Sequence, residues 1–126
     1  MATVRVLVDT DVLIDYFNSG RYTRILDDRR HVIYYSVVTR KELFAKEGLE
    51  DSERRAMIDV LRSFRIVPVS RTIAARYATV RRDCPRLERE DALIAATAID
   101  KRLPLLTRNW RHFRQVEGVT FYTGIA

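Results

Sequence analysis

With 126 residues, 47% of them hydrophobic and 32% charged, the chain has room for one ordinary globular domain, which excludes a second core and a chain disordered as a whole. A net charge of +6 comes from 20 arginines and 3 lysines set against 17 acids. Arginine makes bidentate phosphate contacts and stacks on bases, so the excess suits a nucleic-acid substrate; arginine-favouring codons or a plain solvated surface give the same bias. Cys84 is the single cysteine, which excludes an intrachain disulfide and a cysteine metal cluster. No run approaches the roughly 18 apolar residues of a membrane helix, and the opening stretch does not read as a signal peptide. The expectation is one domain over 1–126, cytoplasmic, with no membrane partner.

Residues 4–8 (VRVLV) form a β-branched run that predicts a buried strand, with Asp9 at its carboxyl end and a helix through Val12, Ile14 and Phe17 after it. Asn18, Ser19 and Gly20 break that helix, a second short helix is expected over 22–28, and a strand over 31–36. Ser36 is a helix cap for a segment reaching Lys46 and closed by Gly48. Ser52 is read as the cap of the next helix, whose Met57, Val60, Leu61 and Phe64 recur at helical spacing, and 66–69 as a strand. Ser70 begins a helix with Ile73, Ala74, Tyr77 and Val80 on one side. After the Cys84-Pro85 breaker, residues 92–99 (ALIAATAI) are apolar nearly all round, which predicts a central buried helix with Asp91 at its amino end. Short strands are expected at 105–107 and 119–122. Strands alternating with helices imply an α/β fold whose central parallel sheet is flanked by α-helices.

In such sheets, sites form where strand carboxyl ends and helix amino ends converge, which is where Asp9 and Asp91 are expected. Carboxylates from distant parts of a chain suit a hard cation such as magnesium, which takes oxygen ligands and keeps several waters. Each acid also has a structural explanation. Asp9 could end a strand in a turn, Glu42 could complete a Thr39-x-x-Glu42 capping box, and Asp91 could cap the buried helix.

Four segments, VLVDTDVLIDYF (6–17), SVVTRKEL (36–43), EDALIAATAID (90–100) and LLTRNWRHF (105–113), resemble in that order the successive motifs of PIN domains, and most closely those of VapC-type toxins of toxin–antitoxin pairs. The resemblance implies a metal-dependent endoribonuclease: Asp9, Glu42 and Asp91 as the catalytic, metal-holding acids, Mg²⁺ or Mn²⁺ as cofactor, and Thr10 as a supporting hydroxyl. It also implies RNA as substrate, a cognate antitoxin protein as partner, and a homodimer. Many relatives carry another acid in the fourth segment, where this chain offers Asn109 and His112 as residues lining the site. That departure leaves open a module that binds RNA or protein with weakened catalysis. Asp11 reads as a helix cap, Glu88 and Glu90 as neighbours of Asp91 that are solvated or help attract cations, and Asp15 and Asp100 as exposed or arginine-paired. Tyr16, Phe17, Tyr22, Tyr34 and Tyr35 are read as core and not as base-stacking groups.

Overall fold

The computed structural model describes residues 3–124. Strand β1 (Arg5–Val8) lies between β2 (Val32–Ser36) and β4 (Leu105–Leu106), with β3 (Arg65–Val67) beyond β2, so the sheet order is β3-β2-β1-β4 and every pairing is parallel. Val6, Leu7 and Val8 are all fully buried. Successive strand side chains point to opposite faces, and here both faces are covered, which is why Val6, Leu7 and Val8 run continuously apolar instead of alternating.

Val6 and Val8 pack into a cluster with Val12 and Leu13 of α1 (Thr10–Ser19), Leu43 of α3 (Val37–Phe44) and Met57 and Leu61 of α4 (Asp51–Leu61). Leu7 faces the opposite way, toward Val80 of α5 (Arg71–Asp83), Ala92, Ala95 and Ala98 of α6 (Arg89–Lys101), and Phe113 of α7 (Trp110–Phe113). The result is three layers, helix on sheet on helix, as the alternation of strand and helix signals led us to expect. Burying each large aliphatic side chain in such a core contributes about 1.5–3 kcal/mol. The remaining helix, α2 (Thr23–Leu26), joins α1 to β2. Gly20 ends α1 in the left-handed region at φ 69°, where it costs no Cβ clash.

Several boundaries differ from those read in the sequence. Ser36 does cap α3, accepting from the Val38 amide at 3.2 Å, but the helix stops at Phe44, with Ala45 and not Gly48 closing it. Glu50 caps α4 in place of Ser52, because Glu50 and Glu53 close a reciprocal capping box two residues earlier. β3 ends at Val67, since Pro68 has no amide to carry the ladder on. The strand expected over 119–122 reduces to one parallel bridge between Leu105 and Phe121. Its partner β4 is only two residues long, flanked by Pro104, so there is no ladder to extend. Among the described residues no helix is long and apolar enough to cross a membrane.

Candidate active site

The parallel sheet aims the carboxyl ends of β1, β2 and β4 at one edge, and the amino end of α6 meets them there. A cavity of about 450 Å³ opens at this edge, lined by Asp9, Thr10, Asp11, Glu42, Asp91, Asn109 and His112, with Arg86, Glu88 and Gln115 also contributing. Asp9, Glu42 and Asp91 therefore come together from three segments far apart in the chain, and Thr10, Asn109 and His112 join them.

Asp9 is the first residue after β1 and the cap of α1. Its amide donates to the Leu106 carbonyl at 3.0 Å, which extends the β1–β4 pairing by one step and fixes the backbone. Its carboxylate accepts from the Thr10 amide at Oδ1 and from the Thr107 hydroxyl at Oδ2, both at 2.8 Å. Asp9 is 3% exposed. Burial and the neighbouring Asp11 charge push its pKa up to about 7, against the opposing pull of the Thr107 and Thr10 hydrogen bonds.

Glu42 projects from the second turn of α3. The Thr10 hydroxyl donates to its Oε1 at 2.8 Å. Thr10 also lies 2.9 Å from the hydroxyl of Thr39, which is fully buried. A hydroxyl has one proton, so with Glu42 ionised Thr39 must donate to Thr10 and Thr10 to Glu42. Thr39 is thus engaged in positioning Glu42 and makes no capping box with it; Ser36 holds the cap. Desolvation, with the charges of Glu90, Glu88 and Asp11, raises the Glu42 pKa, against the Thr10 hydrogen bond.

Asp91 lies in the first turn of α6, and the cap itself is Glu88. Asp91 therefore does not cap the helix, and Glu88 occupies the cap position without a side-chain capping hydrogen bond. Its pKa is raised to about 6, chiefly by desolvation and by Glu88, with His112 pulling it down. The positive end of a buried helix beside the carboxylate is a further favourable field for its ionised form.

Asp11 does not cap α1; Asp9 does, and Asp11 sits in the first helical turn with its side chain turned into the cavity. Its Oδ2 accepts from Asn109 Nδ2 at 2.9 Å and lies 3.5 Å from Arg108 Nε. Its Oδ1 is buried with no hydrogen-bond partner. Arg108 also reaches Asp15 at 3.2 Å, and Asp100 pairs with Arg76 at 3.1 Å, so both helix-interior acids have the arginine partners expected of them. Sequence reasoning missed Thr107 and gave Thr39 only a capping role. A hydroxyl one residue past a strand is a detectable signal for the first, whereas nothing local marks the second.

The donors are oxygens, several carrying formal negative charge, and three of the carboxyls resist ionising in the absence of a counter-charge. An orphaned, buried Asp11 oxygen points to the same need. These features fit a hard divalent cation. Among the described residues no three His, Cys, Asp or Glu side chains close on one point at ligation distance.

A parallel three-layer domain with an acid-lined cleft at the carboxyl edge of its sheet is the class that fold and cleft define. The family model described as PIN domain matches residues 6–119, and the chain belongs to that family. It is 35% identical over 119 residues to Ribonuclease VapC10 of Mycobacterium tuberculosis, covering 89% of this chain and 88% of that protein. Among solved structures, a toxin–antitoxin complex from Klebsiella pneumoniae is 31% identical, with a TM-score of 0.71 and coverage of 91% of this chain and 95% of that one. DNA-bound VapBC from Salmonella typhimurium superposes with a TM-score of 0.84 over 95% of this chain and 98% of that one, at 17% identity, and so speaks for the fold alone.

Proposed function

We propose that the chain is a divalent-cation-dependent endoribonuclease, the toxin of a toxin–antitoxin pair, with Asp9, Glu42 and Asp91 as its catalytic acids. The observation that carries this reading is the meeting of those three acids in one cleft beside Asp11, with the pKa values of Asp9, Glu42 and Asp91 all raised. The relatives named as ribonuclease and as toxin–antitoxin complex support the substrate and the partner.

Bound Mg²⁺ or Mn²⁺ supplies neutralisation of phosphate charge and a water polarised for attack. The chain does the orienting. Thr107 and the Thr10 amide fix both oxygens of Asp9. The Thr39–Thr10 relay fixes Glu42. His112 lines the same cleft, and its positive charge, when it is protonated, favours ionised Asp91. Arg86 lines the same cleft and offers a guanidinium to the phosphodiester.

The antitoxin has a candidate seat. A mostly apolar groove between α1, α3 and α4, lined by Ile14, Phe17, Leu43, Leu49 and Met57, shares Ile14 and Glu42 with the cleft. An amphipathic segment laid there would reach the acids. Homodimerisation follows from the family reading and is tested by mass at rising concentration.

The decisive experiment incubates purified protein with RNA and with DNA of the same sequence, with and without Mn²⁺ or Mg²⁺, and with an Asp9→Asn control. Cleavage of RNA that needs the cation and is lost in the control is the expected result. Cation-independent cleavage, or equal cleavage by the control, overturns the reading.

A further inference from the structure

Among the described residues Trp110 is the one exposed aromatic side chain, at 45%. The aromatic residues nearer the amino end do not compete with it as surface contacts: Tyr35 is buried, and Tyr16, Phe17 and Tyr22 pack against the core. Trp110 follows Asn109 directly in the chain, and Asn109 and His112 line the cleft. The short helix that carries Trp110 and His112, with Asn109 at its cap position, is anchored by Phe113, which is fully buried. The indole is therefore held on a fixed support beside the cleft, in an adjoining hollow that it shares with Leu105, Phe121 and Thr107, whose hydroxyl holds Asp9.

Two guanidinium groups lie against it. The Cζ atoms of Arg111 and Arg114 are 5.5 Å and 5.2 Å from the ring centroid. Neither arginine has a carboxylate partner among the described residues, unlike Arg76 and Arg108, which are paired with acids. A cleft rich in carboxylates repels a phosphodiester chain and holds only Arg86 against it, so free cations beside it add to what the cleft supplies. A partly exposed indole flanked by guanidinium groups that have no carboxylate partner offers what unpaired bases stack on, with phosphates held by the charge.

We propose that Trp110, with Arg111 and Arg114, is a stacking platform that holds an unpaired base of single-stranded RNA lying across the acid-lined cleft. This deepens the ribonuclease reading and rests on it. A base inside an A-form duplex has no free face to offer, so the platform selects unpaired stretches of the substrate.

Trp110 is the only tryptophan in the chain, so its emission reports on this surface directly. The test titrates full-length protein carrying Asp91→Asn, to limit cleavage, with short oligoadenylate RNA and then with the same strand hybridised to oligouridylate. Saturable quenching by the single strand and much weaker quenching by the duplex are expected. In the otherwise unchanged chain, Trp110→Ala is expected to raise KM for single-stranded RNA about tenfold, equivalent to about 1.4 kcal/mol, with kcat little altered. Trp110→Phe, which keeps a ring, recovers most of the affinity and controls for folding.

Unquenched emission with RNA that binds by anisotropy, or an unchanged KM for Trp110→Ala, overturns the platform. So does a concentration-dependent blue shift without RNA accompanied by no response to RNA, which would assign the surface to a second copy of the chain. The two readings fail separately: absence of RNA cleavage by the unmodified protein removes the ribonuclease, while quenching by RNA would still support the platform.

Discussion

The Thr10 hydroxyl donates to Glu42 Oε1 at 2.8 Å, while the Thr10 amide donates to Asp9 Oδ1 at the same distance. One residue therefore sets the mutual placement of two acids that lie on different helices. Thr10→Val keeps the side-chain shape and the amide but removes the hydroxyl, which frees Glu42 and leaves the buried Thr39 hydroxyl without its acceptor. The expected outcome is a fall in kcat of about tenfold and a loss of roughly 1–2 kcal/mol in stability. Thr10→Ser restores most of both. Single-turnover RNA cleavage and thermal melts check this, and a Thr10→Val enzyme with unaltered rate would contradict the relay.

Asp9→Asn and Asp91→Asn are each expected to abolish RNA cleavage while the fold persists. In the cation-free protein both substitutions should raise Tm at pH 8, because each removes a carboxylate that burial disfavours as an anion. Circular dichroism melts beside activity assays decide the point. Full cleavage by both variants, or a collapse of their fold, contradicts the assignment.

The pH dependence follows from the same raised values, about 7 for Asp9 and about 6 for Asp91 against 3.8 unperturbed. A carboxyl whose folded pKa lies above its unfolded one contributes stability that is fully present below the unfolded value. That contribution is lost as pH rises through the folded value. Cation-free protein should accordingly be more stable near pH 5 than near pH 8, with the loss concentrated below about pH 7. Each kcal/mol lost corresponds to roughly 4 °C in Tm for a domain of this size. Added Mn²⁺ should restore Tm at pH 8 and do little at pH 5, which differential scanning calorimetry would read directly.

Arg108 spans Asp11 at 3.5 Å and Asp15 at 3.2 Å, and both acid side chains are less than a fifth exposed, at 14% and 17%. Arg108→Ala leaves two largely buried carboxylates without their cation. With Arg108 itself half-exposed, the expected loss is about 1–2 kcal/mol, below the penalty of a fully buried broken pair. Arg108→Ala,Asp15→Asn should recover part of it. Urea titration measures both, and an unchanged midpoint for the single variant would show the pair to be idle.

Asn109 holds Asp11 through its amide nitrogen, so Asn109→Asp exchanges a donor for a second negative charge 2.9 Å away. Without cation the variant should melt lower. With cation the added charge should lower the Mg²⁺ or Mn²⁺ concentration that gives half-maximal cleavage. His112→Asp, which replaces the group that favours ionised Asp91, tests whether the neighbouring position acts in the same way. If neither variant moves the cation midpoint, this segment does not serve the metal.

Much of this arrangement was legible along the chain. Val6, Leu7 and Val8 announce a strand buried on both faces and place Asp9 at its end, and ALIAATAI announces a helix buried all round with Asp91 in its opening turn. Both are signals of local periodicity, carried by residues next to one another in sequence. Glu42 was legible only through the family resemblance, because a glutamate in the second turn of an ordinary helix has no local mark. Asp11 was misread as a cap since Asp9 and Asp11 are equally plausible caps by composition, and the choice depends on where β1 releases the chain. Trp110 went unremarked because exposure of one aromatic is set by what packs around it.

The sequence by itself determined the layers, the parallel sheet and the ends of strands at which acids stand, because hydrophobic spacing dictates which faces must be buried. Only the tertiary structure decided how those acids are held. The parallel register that sets Val8 beside Leu106 brings Thr107 onto Asp9, and the packing of α1 on α3 brings Thr10 between Thr39 and Glu42. Hydrogen bonds of this kind depend on separations of a few tenths of an ångström between segments as far as 98 residues apart, a quantity that periodicity along one strand or helix does not contain.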